Sequence, residues 1–95
     1  IQRLLQKDTI MATFDKSLDF TVPPYNQIHA GSGGGTRRMI LRQTLKGMTS
    51  NQVLQLITSF PRMVDIVPRV CANNNATLVS QTGDNGKWTF VIRKN

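Results

Sequence analysis

Five consecutive residues, Gly31, Ser32, Gly33, Gly34 and Gly35, divide the chain. They hold four of its seven glycines and no side chain that a core could use. Such a run has maximal backbone freedom and behaves as a tether. Whatever packs before it and whatever packs after it must therefore do so as separate pieces of chain. We read the run as an artificial tether between two parts. A natural glycine loop cradling phosphate is the second reading: Thr36 would open a helix, with Arg37 and Arg38 beside its free N–H groups. A Walker-type loop needs Lys before Ser or Thr, and none stands there. Simple connection is the third reading.

Charge changes at the same place. The first thirty residues balance three basic against three acidic side chains, whereas residues 36–95 hold nine basic against two acidic. The whole excess of +7 lies after the tether. All five acids are Asp, and there is one His and one Cys in 95 residues. That inventory offers no Cys/His metal cluster, no disulfide and no paired-carboxylate site, so an enzyme is not expected. The lone Cys71 suits a reducing compartment or indifference to redox. No apolar run approaches a membrane span. The chain opens at Ile1 without an initiator Met or an apolar leader core, and is expected to be an excised fragment. At 39% hydrophobic, it supports one modest core.

The spacing predicts a helix over 38–46, with Arg38, Arg42 and Lys46 on one face and Met39, Ile40, Leu41 and Leu45 apolar, stopped by Gly47. Thr49 and Gln52 match a capping box, which predicts a second helix carrying Val53, Leu54, Leu56, Ile57 and Phe60. A third helix is expected over 62–72, kinked or split at Pro68, and ended by Asn73, Asn74 and Asn75. Residues 76–81 and 87–93 read as strands of a hairpin around Asn85-Gly86, with Val79 on the face of Trp88, Phe90 and Ile92. Before the tether, 1–17 suits an amphipathic helix and 18–22 a strand. Thirty such residues cannot form a core alone and must dock, for example on the hairpin edge.

Helix, helix, helix and hairpin in that order over 36–95 resembles the winged-helix branch of the helix-turn-helix superfamily. The resemblance implies an α+β fold: a three-helix domain with a C-terminal β-hairpin, to which 1–30 adds a docked helix/strand segment. It also implies the function classes. The first is a protein-interaction module of a transcription, replication or chromatin assembly, with 1–30 as its ligand or a missing part of its fold. Leu4, Leu5, Met11, Phe14, Leu18, Phe20 and Val22 would form that contact. The alternative is a domain binding double-stranded DNA, specifically or not, through Arg37, Arg38, Arg42, Lys46, Arg62, Arg69, Asn73, Lys87, Arg93 and Lys94, in keeping with a pI of about 10.6. A solvated helix face, a capping turn and a charge-protected edge are the plainer explanations of the same residues. No metal, cofactor, membrane or small-molecule substrate is implied, and the expected location is intracellular, nuclear or nucleoid-associated. Trp88 and Cys71 are expected to be core residues.

Overall fold

The computed structural model describes residues 14–23, Tyr25 and 35–95. Its elements are β1 (Lys16–Asp19), α1 (Gly35–Lys46), β2 (Val53–Thr58), α2 (Met63–Asn73), β3 (Ala76–Asp84) and β4 (Lys87–Lys94). The strands make one mixed sheet in the order β1-β2-β4-β3. β1 runs parallel to β2, while β4 runs antiparallel to both of its neighbours. Both helices pack on one face of that sheet. The three-helix winged-helix arrangement is therefore incorrect: there are two helices, and the hairpin is no wing, because β4 is an inner strand bonded on both sides.

The decisive difference is residues 53–58, expected as helix and found as strand. Along β2, Leu54, Leu56 and Thr58 are fully buried while Val53, Gln55 and Ile57 are half-buried. This alternation is the period of a strand with one face in the core. The capping-box pair exists, but it closes a turn. The Thr49 N–H donates to Oε1 of Gln52 at 2.9 Å, and the Gln52 N–H donates to the Thr49 carbonyl at 3.1 Å. Asn51 sits between them at φ 71°, a left-handed conformation that no helix continues through.

β1 fixes the other side of β2. The Asp15 N–H donates to the Val53 carbonyl at 2.8 Å, and Oδ2 of Asp15 accepts from the Val53 N–H at 2.8 Å. Leu18 and Phe20 then enter the core at 8% and 3% exposure, with Tyr25 edge-on to Phe20 at 5.4 Å between ring centroids. This segment joins the sheet beside β2, and not on the hairpin edge as the sequence reading suggested. Lys16 and Ser17 are strand and not helix; the remaining helix expectation over 1–13 lies outside the described residues. So do the run 31–34 and the question of an artificial tether.

The core is completed by Leu41 and Leu45 of α1, Met63, Val67, Val70 and Cys71 of α2, and Phe90 and Ile92 of β4. Each buried Leu, Val, Ile, Met or Phe side chain contributes about 1.5–3 kcal/mol of transfer free energy. Pro68 does not break α2, contrary to expectation. It is exposed, and the helix runs through it from Met63 to Asn73. The core contacts of Met63, Val67 and Val70 hold the two halves in line at the expense of one ladder hydrogen bond. Asn75 ends the exit of α2 at φ 55°. In the β3–β4 hairpin, Asn85 and Gly86 take φ 53° and 78°, the two left-handed residues of a type I′ turn. The register slips between Leu78 and Ser80. That bulge turns Val79 out to 53% exposure, so it does not share the face of Trp88, Phe90 and Ile92.

Candidate functional site

α1 divides its surface by helical geometry. Leu41 and Leu45, one turn apart, face the sheet and are completely buried. Arg38, Arg42 and Lys46, also one turn apart, form a row on another flank and are exposed. Across from this row, α2 presents Val70, Asn73 and Asn74, again at helical spacing. These six residues line a cleft of about 410 Å³ between the two helices. Val70, 4% exposed, closes its apolar base. Among the described residues no carboxylate pairs with Arg38, Arg42 or Lys46, so their charge faces the cleft and solvent.

The lower wall is held by hydrogen bonds. Nδ2 of Asn74 donates to the Val70 carbonyl at 2.8 Å, and the Asn74 N–H donates to the Cys71 carbonyl at 3.2 Å. Nζ of Lys94, at the end of β4, donates to the Asn74 carbonyl at 3.0 Å. The carbonyl end of α2 would otherwise repel an anion; a cation placed there offsets it, as Lys46 does in the last turn of α1.

The basic residues singled out in the sequence thus separate into groups. Arg38, Arg42, Lys46 and Asn73 come together in the cleft, and Lys94 braces it. Arg37 does not belong to that row. It is only 9% exposed, and its guanidinium lies 4.3 Å from the centroid of the Phe60 ring. Arg62 flanks the start of α2, Arg69 lies on its exposed side, and Lys87 and Arg93 are exposed on β4. None of these four lines the cleft. Among the apolar contact residues, Leu18 and Phe20 are core, Phe14 is half-buried and Val22 is 45% exposed. Leu4, Leu5 and Met11 lie outside the described residues. Val70 and Asn74 were missed. Their spacing with Asn73 was readable, but only the packing of α2 against α1 turns it into a wall.

Cys71 is the one thiol of the chain, and it belongs to the core at 2% exposure. Burial among apolar side chains pushes its pKa up from 9.0 to about 11, because the thiolate would lose its hydration. Among the described residues no group of His, Cys, Asp and Glu could hold a metal ion, and no helix is long and apolar enough to cross a membrane.

One family model, described as Sulfurtransferase TusA, matches residues 39–94, more than half of the chain. It spans α1 from its second turn onward and every later element, and leaves β1 outside. No curated protein and no solved structure matches the chain. The match overturns the winged-helix resemblance together with what hung on it: the transcription, replication or chromatin module, the DNA-binding alternative, and the nuclear or nucleoid location.

Proposed function

The chain belongs to the TusA sulfurtransferase family, and from that premise we propose that it serves sulfur relay between proteins as a docking member that keeps its own thiol out of the reaction. Sulfur passes between proteins when a thiolate attacks the outer sulfur of a persulfide. The S–S bond breaks, the donor leaves as a thiolate, and the acceptor becomes the new persulfide. Every such step needs an accessible thiolate.

The observation that carries our reading is the state of Cys71. With a pKa of about 11, only about one Cys71 in ten thousand is ionised at pH 7, and the sulfur is buried besides. The residue inventory set catalysis aside at the outset; a family of sulfur transferases makes group transfer the reaction at issue. In this reading the chain supplies no covalent step of it. A protein partner brings the thiol, and this domain offers a rigid surface.

Intact-mass spectrometry after incubation with inorganic polysulfide tests this directly. Folded protein is expected to gain no sulfur, whereas protein unfolded in urea gains about 32 Da on Cys71. Stoichiometric addition to the folded chain, removable by a small thiol acceptor, would make Cys71 a carrier and overturn the proposal.

A further inference from the structure

The cleft between α1 and α2 is an exposed cationic groove, and its geometry selects among anionic ligands. Arg38, Arg42 and Lys46 follow one another at four-residue intervals, so each is displaced by about 6 Å along the helix axis and the row spans about 12 Å. One small oxyanion can meet one or two of these groups and leaves the rest unused. A polypeptide with carboxylates on alternate residues of an extended segment repeats them every 6–7 or so Å, in step with the row. Asn73 supplies a neutral side-chain amide opposite the cations, suited to a backbone N–H or C=O. Val70 gives the floor a small apolar contact. Few acids compete for the row. After the tether the only carboxylates are Asp65, in the first turn of α2, and Asp84, beside the hairpin turn.

We propose that this groove docks an acidic segment of a partner protein, with Arg38, Arg42 and Lys46 pairing with its carboxylates and Asn73 with its backbone. The inference rests on the docking role proposed above and adds the chemistry of what is docked. The arginines make the planar two-bond contacts that suit carboxylates, and Lys46 adds a point charge. Lys94 strengthens the site indirectly, by holding the Asn74 carbonyl that ends α2.

The test uses the full chain and a fluorescein-labelled ten-residue peptide of alternating Glu and Ser, followed by anisotropy. Binding is expected in about 50 mM salt and at least about fivefold weaker in about 200 mM, as screening shortens the reach of exposed charges. Arg42→Glu is expected to weaken it about tenfold. Arg93→Glu, the same charge change on the sheet face away from the helices, should alter it less than about twofold. Both residues are exposed, and circular dichroism confirms that each variant is folded. Equal loss in the two variants would show attraction to net charge alone and overturn the groove. So would absence of binding at low salt, or displacement of the peptide by inorganic pyrophosphate at lower concentration than by unlabelled peptide. The assay contains no transferable sulfur. Polysulfide reacting with folded Cys71 would sink the sequestered-thiol reading and leave this one standing; loss of groove specificity would do the reverse.

Discussion

Sequestration of Cys71 has a rate consequence that can be worked out in advance. A disulfide reagent such as Ellman's reagent attacks only through the thiolate. At pH 8 a thiol of pKa 9.0 is about one-tenth ionised, and one of pKa about 11 about a thousandth. Ionisation alone therefore slows Cys71 about a hundredfold relative to the unfolded chain. At 2% exposure the sulfur also lacks a path for the reagent. Reaction then waits on opening, and a domain stable by about 5 kcal/mol is globally open for only about one part in several thousand. The labelling rate of the folded chain should fall between these two factors, and urea at the unfolding midpoint should restore it. The same ionisation has a stability consequence. The folded pKa is the raised one, so the full stability is present below pH 9 and is lost as pH rises from about 9 to about 11, where the unfolded chain releases a proton the folded chain retains. The loss amounts to about 2–3 kcal/mol for a shift of this size. Labelling within tenfold of the unfolded rate at pH 8 would refute the reasoning, since it would require a sulfur both ionised and reachable.

Three substitutions test the fold that encloses this thiol. A Cβ at Gly83 would stand 2.9 Å from Cδ1 of Trp88, its cross-strand partner, so Gly83→Ala should displace the indole, shift its fluorescence and cost about 1–2 kcal/mol in urea unfolding. Pro68→Ala should stabilise α2 by about 1–3 kcal/mol, seen as a raised Tm, because an amide N–H returns to a helix that already runs straight through the position. Asp15→Ala removes the carboxylate that accepts from the Val53 N–H, and should cost about 1–2 kcal/mol while speeding amide exchange at Val53 above that of Leu56.

The parts of the fold that were legible in the sequence are those that one local signal decides. Asn85-Gly86 is a two-residue hairpin turn almost wherever alternating strands flank it, and the turn formed as read. The helix of α1 was legible because its apolar and basic residues separate cleanly at 3.6-residue spacing. Residues 53–58 were not legible, because Val-Leu-Gln-Leu-Ile-Thr satisfies both patterns. Leu54, Leu56 and Thr58 alternate, while Val53, Leu54, Leu56, Ile57 and Phe60 also cover a helical face. Two neighbours settle the ambiguity: β1 and β4 supply backbone partners on both sides, an arrangement only a strand can accept. Those partners are distant in sequence, and no window of ten residues contains them. Once 53–58 was read as helix, the winged-helix order followed from it.

The site shows the same division between what is local and what is assembled. The row Arg38, Arg42 and Lys46 could be read from spacing alone, yet spacing could not say what the row faces. A net charge of +7 was taken as the footprint of nucleic acid, but net charge is a sum and carries no geometry. In the fold, the cations after the tether divide: one stacks on Phe60, one braces the end of α2, three line a cleft, and four stand apart from it. A continuous basic face able to track a phosphate backbone needs more than three residues held together. A cleft with three cations on one wall and amides on the other suits a shorter and discrete anion. Cys71 lies one residue beyond the floor of that cleft, on the core side of α2. The helix that would meet a partner at Val70, Asn73 and Asn74 is thus the helix that keeps the thiol dry. An occupant that tightened α2 against the sheet would protect the thiol further, and one that levered α2 outward would expose it. Labelling Cys71 in the presence of the acidic peptide separates these two couplings by the sign of the rate change.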